Sequence, residues 1–245
     1  VVVGSGFGGA ITACRLSQAG RSVCVLERGR RWRKEEFPRT TGQAAKAFWD
    51  PKRSYGFLEY RAFKGIDVIQ GCGVGGGSLH YFNVQFRPPR DIFNQKGWTK
   101  HLTSDTLSPY FDLVRDMLEA APLVPPTGRK LPDRTEAFNV GARGAGKAPK
   151  LADIAVYTGP DRINPHGGVP QSACVYCGNC MLGCHVHAKN TLDLNYIPLA
   201  EKHGAQVFPL HQVEKIAPEP DGKYRVHFRH FQESQPGLGK QGSVV

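Results

Sequence analysis

The spacing of apolar positions changes several times along the chain, and each change predicts an element. Val1 to Val3 form a β-branched run that reads as a strand, and Ala10, Ile11, Cys14 and Leu16 follow at near-helical spacing. Gly20 supplies the helix stop, and Arg21 to Leu26, with Val23, Val25 and Leu26 apolar, predicts a second strand. The opening is therefore a βαβ start. Between 28 and 65 the periodicity is weak, which predicts loops and short helices covering a ligand, and Asp67 to Gln70 reads as a strand feeding a glycine-rich stretch. Ser108 and Pro109 have the character of an N-cap and first helical position. Tyr110, Phe111, Val114, Met117 and Leu118 then give one apolar face of a helix running to about Ala121. Residues 122–173, rich in Pro, Gly and Lys, predict long surface excursions. Leu192 to His203 is helical in pattern, with Pro198 opening or kinking it and Gly204 ending it. Ala205 to Ile216 and Lys223 to Phe231 read as a hairpin joined by a Pro-Glu-Pro-Asp-Gly turn.

The first turn carries the first candidate chemistry. In Gly4-Ser5-Gly6-Phe7-Gly8-Gly9, the residues Gly4, Gly6 and Gly9 stand at the three positions of a dinucleotide-binding fingerprint. Gly4 lets the chain leave the strand sharply, Gly6 lets the backbone approach a pyrophosphate, and Gly9 lets the helix pack close to the strand. The second strand ends at Glu27, placed to accept from adenosine ribose hydroxyls, which argues for NAD or FAD over NADP. A second run, Gly71 to His80, places five glycines within seven residues. Its backbone is expected to press against a flat ligand or fold through positive φ, while Val74, Leu79, Tyr81, Phe82 and Val84 tie it to a core.

With these motifs in view the chain resembles the glucose-methanol-choline (GMC) oxidoreductase family, in its cholesterol oxidase-like branch. Val2 to Gly9, Leu26-Glu27-Arg28-Gly29, Gly71 to Leu79 and Leu210-His211-Gln212-Val213 carry the resemblance, which spans most of the chain. It implies an α/β fold with a Rossmann-like FAD-binding domain of GMC type, made of residues 1–90 and 188–245, with 91–187 as part of a substrate-side region. It implies FAD held by Gly4, Gly6, Phe7, Gly9, Glu27, Arg28, by Gly73, Val74, Gly75, Gly76, Gly77 and Ser78 around the flavin, and by Val213 at the adenine. Some members attach the flavin through a His in the context Gly-Gly-x-Ser-x-His, the slot of His80, which otherwise lines the pocket. The implied activity is hydride transfer from an alcohol, sterol or otherwise bulky and apolar, to flavin N5, with oxygen or another acceptor taking the electrons. In this family the catalytic base is a His in the carboxy-terminal half. The chain is accordingly expected to be the amino-terminal part of the enzyme, with no catalytic residue of its own.

Cys174, Cys177, Cys180 and Cys184 have the spacing of a ferredoxin run, with His185 where a Pro would follow. They are candidate ligands for an iron-sulfur cluster or, with His185 or His187, for zinc; a disulfide or free thiols are the alternatives. A cluster would make the protein a dehydrogenase that passes electrons to a quinone or cytochrome. A flavin-binding fragment without catalysis is a third reading. Clustered cysteines favour a reducing compartment, hence the cytoplasm.

Composition narrows the classes without choosing among them. With 40% hydrophobic and 22% charged residues in 245, the chain is globular and holds one large domain or two small ones. The net charge of +11 is spread thinly, densest at Arg28, Arg30, Arg31, Arg33 and Lys34, and no nucleic-acid-binding module accompanies it. A small-molecule partner is expected, not a nucleic acid. The chain reads as soluble, without a transmembrane segment, and the start at Val1 and the apolar break at Val245 read as those of a fragment.

Overall fold

The computed structural model describes residues 1–245 apart from 51, 54, 233 and 234. Its opening is the expected βαβ unit. Strand β1 (Val2–Val3), helix α1 (Phe7–Gln18) and strand β2 (Cys24–Leu26) follow one another, and Gly20 ends the helix at φ +73°. The strand Gln206–Phe208 completes a parallel three-stranded sheet with β2 in the centre. Ala10, Ala13 and Cys14 of α1 pack with Val23, Val25, Val74, Met117, Leu192, Tyr196, Ile197 and Ala200 into one core. This is a Rossmann-like α/β arrangement in which residues distant in sequence share one interior.

Four expectations need correction. Residues 58–63 lie in a strand, not a loop: β3 (Leu58–Phe63) pairs antiparallel with β4 (Ile66–Gly71) across Lys64-Gly65, and Gly65 adopts φ +83°. The helix around Pro109 begins earlier, spanning Ser104–Leu118 with Pro109 inside it. Its true cap is Thr103, whose hydroxyl accepts from the Thr106 N–H while the Thr106 hydroxyl accepts from the Thr103 N–H. The segment 122–173 contains a helix, Asp133–Gly144, whose residues are all partly or wholly exposed. Lastly, 205–216 is two strands. Gln206–Phe208 belongs to the parallel sheet, and after Leu210 at φ +60° the chain turns into His211–Pro218, which pairs antiparallel with Tyr224–Gln232. Gln235–Val244 adds a third strand to that sheet.

The helix near the end of the core is Tyr196–Lys202, with Pro198 in its first turn and Gly204 beyond it at φ +89°. The pattern from Leu192 onwards reads longer because Leu192 and Leu194 are buried in the turn that precedes the helix. No helix among the described residues is long and apolar enough to cross a membrane.

Candidate dinucleotide site

Four stretches of the chain wall one cavity of about 770 Å³: the first glycine turn, the end of β2, the end of β4 with the second glycine run, and His211, Gln212 and Val213. Of the expected ligands, Gly4, Gly6, Phe7, Glu27, Arg28, Gly76, Gly77, His80 and Val213 line it. Gly9, Gly73, Val74, Gly75 and Ser78 do not; they build its frame.

The frame depends on backbone contact. A Cβ on Gly9 would lie 1.9 Å from the Gly4 carbonyl oxygen, so only glycine lets α1 start this close to β1. Gly76, at φ +53°, would place a Cβ 2.5 Å from Gly6 Cα. The two glycine runs therefore touch, and the cavity opens beside their junction. The first turn of α1 reads Phe7-Gly8-Gly9-Ala10, all uncharged, which leaves its N–H groups and the positive end of the helix dipole for an anion. Val74 is buried in the core, and its N–H donates to the Arg30 carbonyl at 3.0 Å. Ser78 is fully buried. Its hydroxyl donates to the Gly75 carbonyl at 2.7 Å and accepts from the Leu192 N–H at 3.0 Å.

Glu27 is held by a residue that the sequence did not single out. Its Oε2 accepts from the Ser5 N–H at 2.9 Å and the Ser5 hydroxyl at 2.7 Å, and its Oε1 accepts from the Gly29 N–H at 2.8 Å. Ser5 Oγ in turn accepts from the Gly75 N–H at 3.1 Å. Ser5 thus links β2 and both glycine runs, and no local pattern marks it because its partners are 22 and 70 positions away. Of about four lone-pair positions on the carboxylate, three are filled from the protein among the described residues, which leaves one on Oε1 for a ligand hydroxyl.

Lys189 is the second unforeseen residue. Its side chain is buried, and Nζ donates to the carbonyls of Leu79 at 2.9 Å, Tyr81 at 3.3 Å and Cys180 at 2.6 Å, clamping both sides of His80 to the cysteine segment. Burial brings its pKa down to about 8, against the pull of Cys180 and Cys184. Burial, and then the Lys189 charge, also lower the pKa of His80 and favour a neutral ring. Among the described residues His80 Nε2 has no hydrogen-bond partner although it is buried, and His80 lines the cavity. An orphaned imidazole nitrogen, a glycine cradle and an uncapped helix start all fit a dinucleotide with a planar ring system.

The cysteine segment shows no assembled metal site among the described residues. Among the described residues no three His, Cys, Asp or Glu side chains are grouped so that they could hold an ion, and all seven cysteines are free. Cys177 is exposed, while the sulfurs of Cys174 and Cys184 accept from the N–H groups of Tyr176 and Lys189, each at 3.4 Å. Spacing along the chain suggested a cluster; in the fold two of the four sulfurs, those of Cys174 and Cys184, face backbone donors.

Comparison with known proteins agrees with the Rossmann-like fold. Residues 2–33 match the family described as NAD(P)-binding Rossmann-like domain. The chain is 35% identical over 240 residues to a cholesterol oxidase of Mycobacterium tuberculosis (strain CDC 1551 / Oshkosh), covering 92% of this chain and 41% of that protein. It is 34% identical over 227 residues to a cholesterol oxidase of Acinetobacter baumannii, covering 89% and 41%. It is 30% identical over 234 residues to an uncharacterized GMC-type oxidoreductase of Mycobacterium tuberculosis (strain ATCC 25618 / H37Rv), covering 94% and 34%. The chain thus spans about two fifths of the length of the cholesterol oxidases it matches.

Proposed function

Since this chain belongs to the GMC-type oxidoreductases, in their cholesterol oxidase-like branch, we propose that it binds FAD in the cavity between its two glycine runs and serves the oxidation of an alcohol. The observation that carries the proposal is that Gly76 and Gly6, at the contact of the two runs, line one cavity together with Glu27 and Val213. Gly4, Gly6 and the first N–H groups of α1 would hold the pyrophosphate, with Phe7 beside them. The open lone pair on Glu27 would take one ribose hydroxyl, and Val213, with His211 and Gln212, would face the adenine. Gly76, Gly77 and His80 would meet the flavin end, over a loop fixed by Ser78 and Lys189. The chemistry that FAD would supply there is a hydride acceptor at N5 for the conversion of an alcohol to a carbonyl compound, with oxygen or another acceptor as the final sink for the two electrons.

The unit that holds the cofactor would comprise residues 1–90 and 188–245, whose side chains supply all of the main core except Met117. Residues 91–187 would belong to the substrate side. The name of the Mycobacterium tuberculosis relative supports a sterol or a similarly bulky apolar alcohol as substrate. No residue of this chain is assigned as the base that takes the hydroxyl proton, and no relay role is proposed for the cysteines.

Flavin absorbance of the purified protein, with titration of FAD into any flavin-free fraction, tests the first part. One FAD per chain is expected, and near-complete loss in Gly76→Ala. A protein that stays colourless and binds no FAD would overturn the reading. Acid precipitation then separates the two roles of His80: flavin in the pellet means a covalent bond, and flavin in the supernatant means a ring that only lines the pocket. Anaerobic bleaching by a sterol but not by a short alcohol supports the substrate class.

A further inference from the structure

The cavity wall carries two arginines that an unphosphorylated ribose does not require. Arg28 directly follows Glu27, Arg61 comes from β3, and both line the cavity. In dinucleotide folds a guanidinium near this place accommodates a ribose 2′-phosphate, the opposite preference to that of Glu27. Glu59, also on β3, resolves the conflict. Its Oε2 accepts from Arg28 Nη2 at 2.5 Å, and its Oε1 accepts from Arg28 Nη1 at 3.4 Å and from Arg61 Nη2 at 2.8 Å. Gln70, another wall residue, donates to the same carboxylate. Arg28 is fixed further by Cys72, whose sulfur lies 2.7 Å from Nη2, and by Trp49, whose ring centre lies 4.9 Å from the guanidinium carbon.

We infer that Glu59 is a specificity-determining residue: by engaging Arg28 and Arg61 from behind the wall, it makes the ribose end of the cavity reject a 2′-phosphorylated adenine nucleotide. The inference rests on the proposal that the cavity takes an adenine dinucleotide. With the Glu59 carboxylate shared between Arg28 and Arg61, a 2′-phosphate would meet Glu27 with both guanidiniums of the wall already engaged. Burial works against the Glu59 charge, but the hydrogen bonds from Arg28, Gln70 and Arg61 hold its pKa down to about 2, so this engagement persists across the physiological range. Removing the charge of Glu59 while keeping its shape leaves both wall guanidiniums without their shared counter-charge, and the wall gains positive charge.

The test is the binding of ADP-ribose and of its 2′-phosphorylated form to the full chain prepared without flavin. Wild-type protein should bind ADP-ribose and take the 2′-phosphorylated form at least about tenfold more weakly. In Glu59→Gln the ratio should move by about tenfold toward the phosphorylated ligand, with ADP-ribose binding kept, as expected when a released guanidinium gains a charge-assisted hydrogen bond. Arg28→Gln and Arg61→Gln added together to Glu59→Gln should cancel the gain. If Glu59→Gln does not fold, Glu59→Asp, which withdraws the carboxylate by one methylene, should shift the ratio in the same direction by about threefold. An unchanged ratio in a variant that still binds ADP-ribose overturns the role of Glu59 and leaves the cofactor proposal standing. Failure of the wild-type protein to bind ADP-ribose overturns the dinucleotide reading and this inference with it.

Discussion

The helices Phe7–Gln18 and Asp133–Gly144 are each twelve residues long and both contain glycines, but they are held in place by different forces. In α1, Ala10, Ala13, Cys14 and Ser17 are buried, and its N-terminal turn carries no charge of its own. In the second helix Phe138 is 70% and Val140 65% exposed, Asp133 and Glu136 occupy the first turn, and Arg143 occupies the last. That helix satisfies its own dipole, whereas α1 relies on tertiary packing and leaves its positive end available. A ligand-binding helix differs here by what its first turn omits, and by small residues that let it approach a strand.

The sharpest way to break this comparison is alanine at Gly9. The added methyl would fall 1.9 Å from the Gly4 carbonyl oxygen and 3.3 Å from Val2 Cγ1, so α1 and β1 must separate. Gly9→Ala should cost about 3 kcal/mol or more in urea unfolding and abolish FAD binding. Full stability and full flavin content would mean that the turn is looser than this packing requires.

Lys189→Met is next in size. It keeps the unbranched stem, one atom shorter, but leaves the carbonyls of Leu79, Tyr81 and Cys180 without the Lys189 donor, for a loss of roughly 3 kcal/mol. The pH dependence sharpens the test. The folded-state pKa, about 8, lies below the ordinary 10.5, so between these values the unfolded chain holds the proton more tightly than the folded one does. Lys189 should therefore make the wild-type protein gain stability as pH rises from 8 towards 10, and the Met variant should lack that gain. Parallel stability curves for the two proteins would show that Lys189 does not titrate in this range.

These residues also mark how much the sequence disclosed. Gly4, Gly6, Gly9, Gly20 and Glu27 were legible because their meaning is local: a turn, a helix stop and a strand end within one βαβ unit. The second glycine run was legible as a place of close approach, but not what it approaches, since the Gly6–Gly76 contact joins positions far apart in the chain. Ser5 and Lys189 stayed hidden for the same reason; the Leu79 carbonyl lies 110 positions from Lys189. Strand β3 was missed because Leu58 to Phe63 is largely exposed and mixes charge with aromatic residues, so that pairing with β4, not a buried face, makes it a strand. The cysteine spacing was legible as a cluster in sequence, but it does not say how the thiols are arranged, which depends on the Asn179–Gly183 turn and on contacts such as the N–H groups of Tyr176 and Lys189.

The smallest effect has the opposite sign to the first. Gly141 lies inside the exposed helix, and a Cβ there would meet nothing within 4 Å. Alanine restricts the unfolded chain and does not crowd the folded one, so Gly141→Ala should stabilise the helix by about 0.5–1 kcal/mol. If this helix unfolds with the rest of the protein, the urea midpoint should rise at unchanged slope. If it opens alone, the midpoint should stay fixed while amide exchange slows at Phe138 and Val140. Faster exchange there with a lower midpoint would mean that Gly141 is packed against something, and that the contrast with α1 does not hold.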